Sequence, residues 1–332
     1  MQHTLTRSLI ETLVRNKLED LKTSPERTTR NLVDMALHFS KGRFQKRFFE
    51  IAQSMLKDEN SPYYQMLHYA VATVDNERLV HFGMNLGYNS CTYGAKIIRK
   101  TEEQLMFNVP WCITLELSKE SILSSPEHYH SIMQEGKSLG IYTWHIFSNN
   151  CLEELLPIIE MNPDCAFFLF CNPAELQETT LESYSFIRNA MFVIKHQEDC
   201  TDIYSALKKY KFLYTTYLYY SNNNASDILN NELLCEINET NSTFAVFIPA
   251  ETCSNEMKAE ISNYIVNMIN HPVYKTIPFD FSYHLEKIDS IISEDSCSVW
   301  FDENGTLISD KNANHFTQSL SCILNNAFPK KR

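Results

Sequence analysis

From about residue 105 onward, short runs rich in β-branched and aromatic residues alternate with stretches of helical period, and this alternation restricts the fold more than any other feature of the chain. The strand-like runs are CITLEL (112–117), IYTWHIF (141–147), CAFFLF (165–170), MFVIKH (191–196), FLYTTYLYY (212–220) and TFAVFIPA (243–250). TIPFDF (276–281) and CSVWFD (297–302) are weaker. Between them lie PEHYHSIMQEGKSLG, CLEELLPIIEMNP, DIYSALKKY and CSNEMKAEISNYIVNMINHP. Several strands are apolar throughout, as a strand buried on both faces must be. Strand–helix alternation predicts a parallel sheet with right-handed crossovers. The fold class expected is therefore α/β, a partial or full parallel (β/α) barrel over 105–310, followed by a C-terminal helix and basic tail over 311–332.

Residues 1–104 read as a helical N-terminal region. Ile10, Leu13, Val14, Leu18 and Leu21 recur at helical spacing. Ser24-Pro25-Glu26 is a helix start, and Ser61-Pro62 repeats that signal before Met66, Ala70 and Val71. GMNLGYNSCTYG holds Gly83, Gly87 and Gly94, so a sharp backbone turn is expected there. No Pro-, Gly- or Ser-rich linker precedes the first strand, which predicts that the helices dock as a cap.

Only 7 of the 332 residues are glycine. Phosphate cradles built on backbone amides need several close together, and neither Gly83/Gly87 nor Gly136/Gly140 completes one; Ser131 stands where a P-loop before Gly136-Lys137-Ser138 needs glycine. A net charge of −12 disfavours nucleic acid as a partner. The basic runs Lys41–Lys46 and Lys208–Lys211 are short and read as solvated helix faces. Ten cysteines include no C-x-x-C pair, so no zinc site is expected from spacing. The charged N-terminus does not resemble a secretory signal, and the longest apolar run, AFFLFC, is far too short to span a membrane. A cytoplasmic location with reduced thiols is the expectation.

In a parallel barrel, chemistry gathers at the C-terminal ends of the strands. That edge would carry Glu116, Ser148, Asn149, Asn150, Cys171, Asn172, Lys195, His196, Tyr219, Tyr220 and Asp280. Glu116 and Asp280 are candidates for an acid/base pair. Lys195 is a candidate Schiff-base nucleophile if burial lowers its pKa, and otherwise a solvated strand-end lysine. His128-x-His130 has the spacing of a metal pair on a strand, but Pro126 favours a helix, where i and i+2 diverge by about 200°. The tyrosines at 214, 217, 219 and 220 suit ring stacking or core packing. Asn222–Asn224 and Asn230–Asn231 favour turns.

The strings FNVPWCITLELS, YHSIMQEGKSLGIYTWHIFSNN and PIIEMNPDCAFFLFCNP resemble the radical SAM family, in its bacterial branch with a helical N-terminal extension. NLVDMALHFSKG through LGYNSCTYGAKI resembles that extension, and FDENGTL a strand and turn near the family's C-terminal region. The resemblance implies a partial (β/α)6 barrel holding an iron–sulfur cluster and S-adenosylmethionine. It also implies a C-x-x-x-C-x-x-C loop after the first strand and a Gly-Gly-Glu-Pro turn after the second. The first loop here is SKESILSSPEHYH, without cysteine. Ungapped placement puts Ser121, Ser125 and His128 at the three positions; starting the next helix at Pro126 deletes most of the loop instead. The second turn is Ser148-Asn149-Asn150-Cys151. Hydroxyls do not replace thiolates on iron. The expectation is a catalytically degenerate radical SAM-like protein without 4Fe-4S cluster or S-adenosylmethionine, acting as a binding, partner or regulatory subunit. A peptide or an active radical SAM relative is its implied partner. The alternative is an enzyme of another class using Lys195, His196, Glu116 and Asp280.

Overall fold

The computed structural model describes residues 2–39, 42–197, 200–293 and 295–330. Helices α1 (Gln2–Thr23), α2 (Pro25–Phe39), α3 (Arg43–Met55), α4 (Tyr63–Thr73), α5 (Asn76–Gly83) and α6 (Ala95–Leu105) open the chain. Then follow β1 (Cys112–Ser118), α7 (Lys119–Ser124), α8 (Pro126–Leu139), β2 (Thr143–Asn149), α9 (Leu152–Glu160), β3 (Ala166–Cys171), α10 (Glu178–Ser183) and β4 (Ala190–Lys195). The second half runs α11 (Thr201–Lys209), β5 (Tyr214–Tyr220), α12 (Ala225–Leu229), α13 (Glu232–Glu239), β6 (Phe244–Pro249), α14 (Asn255–Asn270), β7 (Ile277–Asp280) and α15 (Phe281–Ile292). It ends with β8 (Trp300–Phe301), β9 (Thr306–Leu307), β10 (Asp310–Asn314) and α16 (Leu320–Ala327).

The strands form one mostly parallel sheet, ordered β10-β9-β8-β1-β2-β3-β4-β5-β6-β7. All eight strand-like runs of the sequence become strands, and the α/β class with a helical N-terminal region holds. The antiparallel β9 and β10 fall where the sequence analysis expects no strand. No helix of the described residues is long and apolar enough to cross a membrane.

The chain divides into two compact units. The first comprises Met1–Ser8, Glu77–Phe192 and Glu286–Arg332; the second comprises Leu9–Asn76 and Val193–Leu285.

In the first unit, β1, β2 and β3 run parallel in the register Glu116↔Phe147↔Phe170. Alternation along each strand then sorts the side chains onto two faces. Leu115, Ile146 and Leu169 share one face and are fully buried. So is Trp144, against which α8 packs so closely that a Cβ at Gly136 would stand 2.7 Å from the indole. Glu116, Phe147 and Phe170 lie on the other face.

GMNLGYNSCTYG does not turn. Met84–Gly94 continues the helix in π form, with Gly94 at φ −58°. The glycine serves a close approach instead: a Cβ there would lie 2.3 Å from the Gly140 carbonyl oxygen. Asparagines of this stretch hold the loop before β3, Asn85 donating to the carbonyls of Pro163 and Cys165 and Asn89 to that of Asp164.

In the second unit, Leu218, Tyr220, Ala245 and Phe247 of β5 and β6 form a core with Ile228, Leu234, Ile237, Ile261 and Ile265 from α12, α13 and α14. Leu56, Tyr63 and Tyr64 of the N-terminal helices pack with Ile277 of β7, and the Asp75 amide donates to the Lys211 carbonyl.

Candidate functional site

The C-terminal ends of β1 to β3 carry the first group of candidate residues. Glu116, half-buried on β1, accepts a hydrogen bond from the Trp300 indole nitrogen at 2.8 Å. The same indole stacks on Phe147 at 5.0 Å, and Phe147 stacks on Phe170 at 4.2 Å. The row that follows from the strand register is therefore an aromatic ladder with one carboxylate at its side. Trp300 was not anticipated as part of this edge: its run, CSVWFD, reads as a weak strand, but nothing in the sequence places that strand beside β1.

The turn after β2 is a closed polar unit. Ser148 Oγ accepts from the Cys151 amide at 3.1 Å and donates to Glu175 Oε2 at 2.5 Å. Glu175 Oε1 accepts from the Asn172 amide at 3.0 Å. Burial raises the pKa of Glu175, and the Ser148 hydroxyl with the backbone amides of Asn172, Cys151 and Asn150 pulls it back. Cys151 donates its thiol to the Leu117 carbonyl at 3.1 Å, and burial pushes that thiol up to about 11. Asn150 takes the left-handed conformation at φ 55°, which asparagine tolerates better than most residues. Asn149 and Asn150 are exposed. Glu175 was missed by sequence reasoning, although Asn172-Pro173-Ala174-Glu175 has the spacing of a capping box.

The segment after β1 folds immediately into α7. Ser118 caps it, accepting from the Ser121 amide at 3.2 Å, while Ser121 Oγ accepts from the Ser118 amide at 3.1 Å. Ser125 is the N-cap residue of α8, and Pro126 opens that helix as its sequence predicts. His128, in the first turn, places Nε2 at 2.8 Å from Nδ1 of His315. His130 meets Asn162 instead, with Nδ1 at 3.4 Å from the amide nitrogen, so helical geometry separates the two histidines of the H-x-H pair.

In the second unit, Lys195 is half-buried at the end of β4. His196 donates its backbone amide to the Tyr217 carbonyl at 2.7 Å and sets Nε2 at 3.2 Å from Glu236. Asp280 is buried and caps α15: Oδ1 accepts from the Tyr283 amide at 3.0 Å and Oδ2 from the Ser262 hydroxyl at 2.5 Å. The His284 ring accepts from the Asp280 amide at 3.0 Å; burial lowers its pKa, and Asp280 opposes that. Tyr217 is buried and Tyr219 is 40% exposed, their rings 5.8 Å apart. Tyr220 belongs to the core formed with the helices. Asn222 accepts from the Ser254 amide at 2.9 Å, so this asparagine run is a turn, as predicted. Glu116 and Asp280 belong to different units, and each carboxylate has the hydrogen-bond partners just described within its own unit.

No protein-family model matches the chain, and no curated protein matches it significantly. Solved structures do. SuiB of Streptococcus suis superposes with a TM-score of 0.51 at 10% identity, covering 87% of this chain and 77% of that one. SuiB bound to S-adenosylmethionine gives 0.50 at 11% identity, covering 69% of this chain and 66% of that one. SuiB bound to its precursor peptide SuiA gives 0.49 at 9% identity, with 68% and 67% covered. The fold is that of the radical SAM enzymes. The chain spans just under two thirds of the length of the S-adenosylmethionine-bound neighbour.

On the radical SAM fold, the resemblance noted in the sequence places cluster ligands directly after β1. The donors found there are the hydroxyls of Ser121 and Ser125 and the His128 imidazole, and no cysteine stands between Cys112 and Cys151. Cys112 and Cys171 are fully buried, and burial raises both thiols well above their ordinary value. Among the described residues, no three His, Cys, Asp or Glu side chains gather into a group able to hold a metal ion.

Proposed function

We propose that this chain uses the radical SAM fold as a binding or partner subunit, without radical chemistry. One observation carries the reading. The segment after β1 offers no thiolate, and most of its polar side chains are engaged locally: Ser118 and Ser121 on each other, and His128 on His315, while Ser125 holds the N-cap position of α8. Three thiolates on a free loop are what a site-differentiated four-iron cluster requires; a helix capped by serines supplies neither the ligands nor the slack. The turn after β2 supports the same reading. Its hydroxyl and backbone amides converge on Glu175, a residue of this chain, rather than on a ligand.

The residues present therefore do not fit the cluster, and no chemical step is assigned to it. The partner class proposed is a peptide or an active radical SAM relative, on the strength of the sequence resemblance. A reducing compartment agrees with ten free cysteines, most of them buried.

Anaerobic reconstitution with iron and sulfide tests the proposal. The expected product is colourless protein, silent in electron paramagnetic resonance after reduction. A stoichiometric four-iron signal that shifts on adding S-adenosylmethionine would overturn it and restore the enzyme.

A further inference from the structure

His128 and His315 come from distant parts of the first unit, α8 and the segment after β10. Their facing nitrogens are 2.8 Å apart, their ring centroids 5.0 Å, and their planes differ by 16°. Two imidazoles with that centroid separation and that contact lie edge to edge and nearly coplanar, so one N–H···N bond joins them in line. His315 is buried against Phe301, Tyr129 and Phe316. Its amide donates to the Gly305 carbonyl at 2.9 Å. Seven residues along the same α8, Glu135 accepts from the amides of Leu320 and Ser321 at 3.0 Å each, at the start of α16. One helix thus grips the C-terminal segment at two points.

We infer that the His128–His315 pair is an acid-operated latch, which holds the segment of β9 and β10 on α8 at neutral pH and releases it when both rings become charged. The shared bond survives one added proton, because a charged ring can donate while the other accepts. A second proton sets two N–H groups against each other at 2.8 Å. Most of the surroundings resist that charge or are neutral to it; the backbone of His315 itself and Asp302 favour it. His128 lies in the first turn of α8, where the helix dipole disfavours a cation. Burial lowers the pKa of both rings, and the proximity of His128 depresses His315 further, to about 4. Tyr129, from α8, is a neutral phenol raised by burial and bonded to Ser121 of α7. Asp302, on the turn after β8, acts in the opposite direction and favours the charged His315. Release would leave β8 as a bare sheet edge, since β9 is its outer neighbour.

Both folded-state values lie below the ordinary histidine value, so the latch is fully engaged above about pH 6.5 and weakens as pH falls. For His315 alone, a folded value of about 4 against an ordinary 6.5 allows opening to increase by about 100-fold between pH 7 and pH 4. Hydrogen exchange of the full chain, corrected for intrinsic rates, should show this rise in peptides covering 302–316 but not in α9 of the same unit. Glutamine at either position can donate or accept a hydrogen bond but cannot titrate, so His315→Gln should lose the pH response. His128→Gln, at a half-exposed site, leaves His315 buried and able to titrate but removes the second charge, so it should reduce the pH response, and it serves should the buried variant misfold. Opening of 302–316 that is flat with pH, that occurs only together with α9, or that persists unchanged in His128→Gln would overturn the latch.

Discussion

Gly94→Ala should destabilise the first unit although alanine is the better helix former. The backbone at Gly94 is ordinary right-handed helix, so alanine meets no conformational strain there. By propensity alone the substitution would stabilise by about 1 kcal/mol. Against this, the new methyl would stand 2.3 Å from the Gly140 carbonyl oxygen, 2.9 Å from that of Asn89 and 3.1 Å from the Tyr142 ring. Two of the three are backbone atoms, which cannot rotate aside as a side chain would. Gly140 is itself fixed at φ +101° as the last residue of the α8 cap, with its own absent Cβ facing Gly94 and Ile98. Overpacking of a close contact costs about 1–3 kcal/mol and occasionally more, and immobile partners put this case at the upper end. The net expectation is a loss of about 2 kcal/mol, which lowers the melting temperature by about 4–8 °C in a unit of this size. Trp111, Trp144 and Trp300 are the chain's only tryptophans, and all three lie in the first unit, so intrinsic fluorescence during a urea or thermal titration reports that unit selectively. A Gly94→Ala protein as stable as the parent, or more so, would show that α8 and the π-helical stretch do not meet as described.

Glu175→Ala leaves the Ser148 hydroxyl and the Asn172 amide without their acceptor, and should cost about 2 kcal/mol in a fluorescence-detected melt; a loss under about 0.5 kcal/mol would contradict the closed turn. Asp289 is buried, accepts from the amides of Trp111 and Cys297, and is raised to about 7 by that burial. Its folded value exceeds its unfolded one, so the unfolded chain loses the proton first and stability falls as pH rises from about 4 to about 7, by up to about 4 kcal/mol. Asp289→Asn should flatten that slope, as read from urea midpoints at pH 5 and pH 8; an unchanged slope would place the ionisation elsewhere.

The strands were legible because their signal is burial on both faces, which a run such as AFFLFC states outright. Pro126 was legible for a different reason: its ring fixes the helix start whatever surrounds it. What stayed hidden depends on partners remote in sequence. Gly94 belongs to a Gly-rich string that reads as a turn, and only the presence of Gly140, 46 residues later, shows that its role is close approach. His128 carried a local pattern, H-x-H, that pointed to the wrong neighbour, since its partner is 187 residues away. β9 and β10 have burial patterns of mixed polarity and no run of apolar residues, so hydropathy does not announce them; the turn at Gly305 brings β9 back beside β8, and β10 then pairs with β9.

The candidate edge shows the same division between residue type and residue use. Sequence reasoning picks Glu116, Ser148 and Asp280 because carboxylates and hydroxyls at strand ends can do chemistry. Folding has given each a hydrogen-bond partner: an indole for Glu116, a second carboxylate for Ser148, and the first turn of a helix for Asp280. A general acid or base has to exchange protons with a substrate, and a carboxylate committed to a cap loses helix stability whenever it lets go. Asn149 and Asn150 differ, since they stand exposed on a turn whose backbone is already held by Ser148 and Glu175. Amides fixed in that way can offer donors and acceptors to a partner without any change of charge. On the proposed reading of a binding subunit, Asn149 and Asn150 are the side chains of this edge that a partner would meet.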